Sequence, residues 1–220
     1  MRAPTPRSDE SVFSRFFRRE PKQSRSRAAV DAVIQATEDL VARGKAIEDL
    51  SIELLSERAG VAMGSFYEYF SGKDSVVGVL IGRVTRANFD HLSAALAAAH
   101  HETLEALIRD FSRTVVDAYL AHPKRTRMLI DGIARLGLLG VVSEERDRFA
   151  LEMAKHAMRF LPDEEPARVE ATMRLAADTA MGILGFAAHR GGDIDHAKMA
   201  DELAEIGLHL IRRHHPRASK

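Results

Sequence analysis

Ser51-Ile52-Glu53-Leu54-Leu55-Ser56-Glu57-Arg58-Ala59-Gly60-Val61-Ala62-Met63-Gly64-Ser65-Phe66-Tyr67-Glu68-Tyr69-Phe70-Ser71-Gly72-Lys73-Asp74 is the stretch on which the fold turns. It reads as two short helices joined by a tight turn. Ser51 is placed to cap the first helix, which carries Ile52, Leu55 and Ala59. Gly60 can take a positive φ, so the chain can reverse within Ala59-Gly60-Val61. Ala59 is small enough for the helices to cross closely, and Val61 and Phe66 are spaced to pin the second onto the first. Phe66 and Phe70 are expected in the core. This is a helix-turn-helix, whose second helix can enter the major groove of DNA N-terminus first.

The residue types in that second helix suit close approach to a nucleic acid. Gly64 and Ser65 are small and lie in its first turn, so backbone amides can reach phosphates or base edges. Tyr67 and Tyr69 each offer a hydroxyl to a phosphate. Lys73 and Ser51 stand at the positive ends of helices, where an anion is favoured. Two features run the other way. Ala62 leaves the helix without a side-chain cap, worth ~1 kcal/mol. No Arg or Lys lies between Val61 and Phe70, so the common bidentate contact to guanine is unavailable from this helix.

On either side the pattern stays helical. Val33, Ala36, Thr37, Leu40 and Val41 form one helical face, and Gly44 is a natural stop. Ser71 and Asp74 fit a capping box that starts a long helix to about Ala99. Further helices are expected at 102–121, 124–139, 143–160, 166–190 and 194–213, separated by His122-Pro123, Leu161-Pro162-Asp163 and Gly191-Gly192-Asp193. There is no strand-like alternation and no solenoid repeat. The expected fold is all-α with about nine helices: an N-terminal three-helix DNA-binding domain, then a larger helical ligand-binding and dimerisation domain.

The motif resembles the tetracycline-repressor (TetR) family of bacterial transcriptional regulators. That family's pattern runs roughly Ala-Gly-Val-Ser-x-Gly-x-Leu-Tyr-x-His/Tyr-Phe-x-x-Lys-Glu; here the chain reads Ala59 to Asp74, with Ala62 in the Ser position and Met63 where a polar or basic residue is common. The resemblance covers about residues 24–84. It implies a homodimeric, cytoplasmic, nucleoid-associated regulator on a palindromic operator, usually a repressor released by a small molecule. By position it implies that Met63, Gly64 and Ser65 face bases, that Ser51, Tyr67, Tyr69 and Lys73 face phosphates, and that Ala62 belongs to the same DNA-binding set. The alternative is an all-α interaction or ligand-binding module with weak or lost DNA binding.

Charge is distributed unevenly. The chain of 220 residues has zero formal net charge, yet residues 1–27 carry +5 and residues 28–73 carry −4. Residues 1–23 read as a flexible basic arm, interrupted by Phe13, Phe16 and Phe17. Such an arm can supply the phosphate attraction that the recognition helix lacks, reaching toward a minor groove. The domains are therefore expected at 1–23, 24–84 and 85–220. Cysteine is absent, which removes disulfides, thiolate metal sites and cysteine nucleophiles. No apolar run approaches the ~20 residues of a membrane helix, so no membrane partner is expected. No phosphate-binding glycine loop, nucleophile elbow or His-Glu-x-x-His occurs, so no enzyme and no cofactor are expected. Adjacent pairs His100-His101 and His214-His215 point about 100° apart on a helix and make no shared metal site.

In the C-terminal body, Ala176, Ala180 and Ala187 permit close helix approach, and Met199, Leu203, Ile206 and Leu210 make an apolar stripe. Two such helices from each subunit are expected to form a four-helix dimer interface. A cavity for an effector, expected to be apolar, would draw its lining from Phe111, Tyr119, Met128, Phe149, Met153, Met181 and Phe186.

Overall fold

The computed structural model describes Phe13 and residues 15–216. Among these residues there are nine helices and no strand: α1 (Ser24–Ala42), α2 (Ile52–Ala59), α3 (Met63–Tyr69), α4 (Lys73–Ala98), α5 (Leu104–Leu120), α6 (Pro123–Arg135), α7 (Leu139–Ala157), α8 (Pro166–Arg190) and α9 (His196–His214). They form two compact units. The first takes residues 1–85 and 128–141, the second 86–127 and 142–220. The expected domains are continuous at 24–84 and 85–220, whereas residues 128–141 group with the first unit.

Local chemistry sets the helix ends of the first unit. Gly44 has φ +93° after α1 and Gly60 φ +64° after α2, conformations that glycine adopts without a Cβ clash. The Ser51 hydroxyl accepts a hydrogen bond from the Leu54 amide at 3.2 Å and caps α2. Ala62 begins α3 with no side-chain cap. The expected capping box at Ser71 is displaced by one residue. The Gly72 amide donates to the Ser75 hydroxyl at 3.1 Å, and Asp74 is instead paired with Arg135 at 3.2 Å. Arg135 also reaches Glu48 at 3.1 Å.

The core of this unit is closed by Val33, Ile34, Leu55, Phe66, Phe70, Val77, Leu80 and Ile81, joined by Met128, Leu129 and Leu138. Gly132 lets α6 approach α4 closely, since a Cβ there would stand 2.6 Å from Ile81 Cδ1. The helix expected at 124–139 ends at Arg135, because Gly137 turns left-handed (φ +63°) and Leu138 then closes back onto the Ile133 carbonyl at 2.9 Å. The described part of the stretch expected to be a flexible arm to residue 23 lies against this unit. Phe13, Phe16 and Phe17 pack onto the core of this unit.

The second unit is built on α5, α7, α8 and α9 with Leu92 and Leu96 of α4. α9 lies close along α5, where Gly207 leaves room for Ile108. Its end is fastened by a buried polar group. His215 is 0% exposed, with Nδ1 2.8 Å from the Glu164 carboxylate and Nε2 2.9 Å from the Thr172 hydroxyl. Both ring nitrogens thus have partners, which is what a buried imidazole needs. No helix of the described residues is long and apolar enough to cross a membrane.

Candidate nucleic-acid interface and apolar recess

α3 is a short helix whose two sides differ completely. Phe66 and Phe70, four residues apart, are buried with ring centroids 5.4 Å from each other. They anchor α3 to the core of its unit, as the spacing predicts. Its first turn leaves Ala62, Met63, Gly64 and Ser65 exposed, and a Cβ at Gly64 would meet nothing within 4 Å. Tyr67 is 40% exposed, and its ring stands edge-on to Phe66 at 5.8 Å. A backbone without bulk or charge, rigidly held, is suited to lie against another surface.

Two residues assigned to phosphate contact behave otherwise. Tyr69 is only 9% exposed and belongs to the core, because it falls on the same side as Phe66. Lys73 donates through Nζ to the carbonyls of Ile47 (3.2 Å) and Glu48 (2.7 Å), so its ammonium pins the loop before α2. Ser51 is exposed, but its hydroxyl is engaged in capping.

Sequence reasoning missed Arg18 and Arg19 as specific neighbours of α3. The Arg18 amide donates to the Tyr69 carbonyl at 2.8 Å, its guanidinium lies 3.4 Å from the Tyr67 carbonyl, and Arg19 pairs with Glu68 at 2.8 Å. The available signal was the Phe13, Phe16, Phe17 spacing opposite Gly78 and Gly82 in the long helix.

The second unit holds an apolar recess of about 70 Å³. Of the seven residues expected to line an effector cavity, Phe111, Phe149 and Met153 line this recess, and the two rings stack at 5.2 Å. The other four candidates lie elsewhere. Met128 is buried in the first unit, and Phe186 is 73% exposed on α8. Tyr119 and Met181 are absent from the lining. Burial pushes the Tyr119 hydroxyl up to about 12, opposed by the positive charge of Arg146. Four residues assigned to the dimer interface, Ala176, Ala180, Leu203 and Ile206, line this recess. Ala187 is buried in the unit's own core. Met199 and Leu210 remain partly exposed, and α8 turns Leu175, Gly182 and Phe186 outward. Among the described residues, Ser112 and Thr179 are the only polar side chains in the lining, and no charged side chain contributes to it.

Among the described residues no three His, Asp or Glu side chains gather as a metal site. His101 meets Asp110 at 3.0 Å, and the His214 carbonyl accepts from Arg168.

Comparison with known proteins agrees with this architecture. The family model for bacterial regulatory proteins of the tetR family matches residues 34–79. The model for the tetracyclin repressor-like C-terminal domain matches residues 103–209. No curated protein matches the chain. Among solved structures, a tetR-family transcriptional regulator from Streptomyces coelicolor is 19% identical with a TM-score of 0.61, covering 84% of this chain and 81% of its own. The fatty acid degradation regulator FadR from Bacillus halodurans is 17% identical with a TM-score of 0.61, covering 86% and 97%. A TetR-family regulator from Mesorhizobium loti is 18% identical with a TM-score of 0.62, covering 87% and 98%. At these identities the likeness is one of fold.

Proposed function

The chain belongs to the TetR family of bacterial transcriptional regulators, and on that premise we propose that it is a homodimeric repressor that binds a palindromic operator and is released by a small apolar ligand. The observation that carries the reading is the display of α3. Its first turn is uncharged and open at Ala62, Met63, Gly64 and Ser65, while Phe66 and Phe70 fix the helix from behind. Backbone amides of the first turn and the Tyr67 hydroxyl then meet base edges and phosphate. Tyr69 and Lys73 act indirectly, by holding α3 and the loop before α2 in place.

Dimerisation makes one weak reader sufficient. Two copies of α3 about 34–36 Å apart would meet successive major-groove faces of a palindrome. The outward residues Leu175 and Phe186 of α8, with Met199 and Leu210 of α9, supply an apolar face for a self-complementary contact. The effector would occupy the recess beside Phe111 and Phe149, where the lack of any charged lining favours an uncharged apolar body. Release is a population shift. The effector lowers operator affinity only by as much as it prefers the form with the wrong α3 spacing. α4 and α6 both run across the division between the units and are the levers available to it. Such a regulator works in the bacterial cytoplasm.

A genome-wide binding map of the intact chain tests this reading. Discrete sites sharing an inverted repeat are expected. A map without enriched sites contradicts it and favours the interaction module.

A further inference from the structure

The described part of the N-terminal arm is seated on the fold. The Phe16 ring occupies the space where a Cβ on Gly78 would stand, 2.5 Å from its nearest carbon. The Phe13 ring does the same at Gly82, 2.4 Å away. The two glycines are one turn apart on α4, so together they form a notch that takes two aromatic rings. Phe17 packs on Phe70 at 5.7 Å and pairs with it in a single antiparallel bridge. This seating delivers the next two residues, both exposed, to the C-terminal end of α3.

Glu68 gives their position its meaning. It is the only charged residue in α3 and lies one turn beyond Gly64 and Ser65, on the same side of the helix. A bare carboxylate there would oppose a phosphate backbone. Arg19 meets it at 2.8 Å while its own side chain keeps 70% exposure. An exposed ion pair of this kind is too weak to hold a chain segment in place. The rings do the holding, and the arginine is left to answer for charge.

We propose that this strap, Phe13 with residues 15–19, is a fixed part of the DNA-facing surface: Arg19 cancels the charge of Glu68, Arg18 and Arg19 take phosphate beside α3, and Phe13 and Phe16 on Gly78 and Gly82 are the anchor. The inference rests on the reading that α3 faces DNA. It replaces a loose basic tail with cations in register with the recognition helix. Arg18 and Arg19 contact the ligand, and Phe16 is a positioning residue.

The test uses the intact chain and a labelled 30-base-pair duplex of mixed sequence, with affinity measured between 50 and 200 mM NaCl. Removing one arginine from a phosphate lowers the salt slope by roughly 0.9, so the R18Q/R19Q dimer is expected to fall by about 2 to 4 in slope at unchanged Tm. Gly78→Ala keeps every arginine but ejects the Phe16 ring. It is expected to weaken binding and to speed tryptic cleavage after Arg18 and Arg19 at least about tenfold, as a local opening does. E68Q added to R19Q is expected to restore part of the affinity that R19Q loses, which a purely structural strap would not show. An R18Q/R19Q protein with the wild-type slope overturns the strap proposal while leaving α3 as a DNA reader. A wild-type chain that binds no duplex at 50 mM NaCl overturns both.

Discussion

The two units use their aromatic residues for opposite purposes. In the first, Phe66 and Phe70 are sealed into the core and Phe13, Phe16 and Phe17 press onto it, so α3 is presented by a rigid mount. In the second, Phe111 and Phe149 stack beside an opening, and Phe186 faces solvent. A surface that must match DNA geometry gains from fixed spacing, whereas a recess that admits a guest and a face that meets a second copy need apolar surface left uncovered.

The contrast is most exposed at the buried rings. Phe66→Ala removes a 0%-exposed ring and is expected to destabilise the fold by about 3–5 kcal/mol in urea titration. Phe186→Ala, at a 73%-exposed position, is expected to change unfolding by less than about 0.5 kcal/mol. It should instead shift the proposed dimer toward monomer in sedimentation. Equal stability losses at the two positions would erase the distinction between a mount and an open face.

Next in size is the fastening of α9. His215→Ala removes a 0%-exposed imidazole together with its hydrogen bonds to Glu164 at 2.8 Å and Thr172 at 2.9 Å, and a loss of about 2–3 kcal/mol is expected. A variant as stable as wild type would mean that this end of the second unit is held by packing alone.

The smallest effect is one of pH. Tyr119 has its folded-state hydroxyl pushed from 10 up to about 12 by burial. Below pH 10 the hydroxyl is neutral in both states. Between these values the unfolded chain gives up its proton first, so stability falls as pH rises through that window. The loss is at most about 2–3 kcal/mol, less for whatever solvent the partly exposed ring still meets. Alkaline titration followed by tyrosine absorbance at 295 nm, compared between wild type and Tyr119→Phe, isolates this group. A Tyr119 signal that appears at the ordinary value of 10 would remove the claim of a deeply packed hydroxyl.

The first unit was more legible because its determinants are local. Ser51 caps α2 three residues on, Gly60 makes the turn between neighbours, and Phe66 and Phe70 share a side by helical periodicity. Tyr69 and Lys73 misled because their fates depend on where the rest of the unit lies, which residue type does not encode. The second unit offered periodic Ala, Met and Leu that fit inward and outward faces equally well. Ala176, Ala180, Leu203 and Ile206 thus read as a dimer seam and are found around the recess, while Phe186 reads as lining and is found outside. The strap escaped the sequence reading because a basic, serine-rich stretch carries the composition of a tail, and its anchors lie some sixty residues away at Gly78 and Gly82.

The central claim is that the open side of α3 meets DNA, and Gly64→Glu tests it most directly. A Cβ at this position meets nothing within 4 Å, so the fold accepts the change. The added carboxylate would stand against phosphate, a like-charge contact costing several kcal/mol. Gel-shift titration of the intact chain on a site taken from its own genomic map is expected to show at least about a 100-fold loss of affinity, with Tm unchanged. Wild-type affinity from the folded variant would contradict the account.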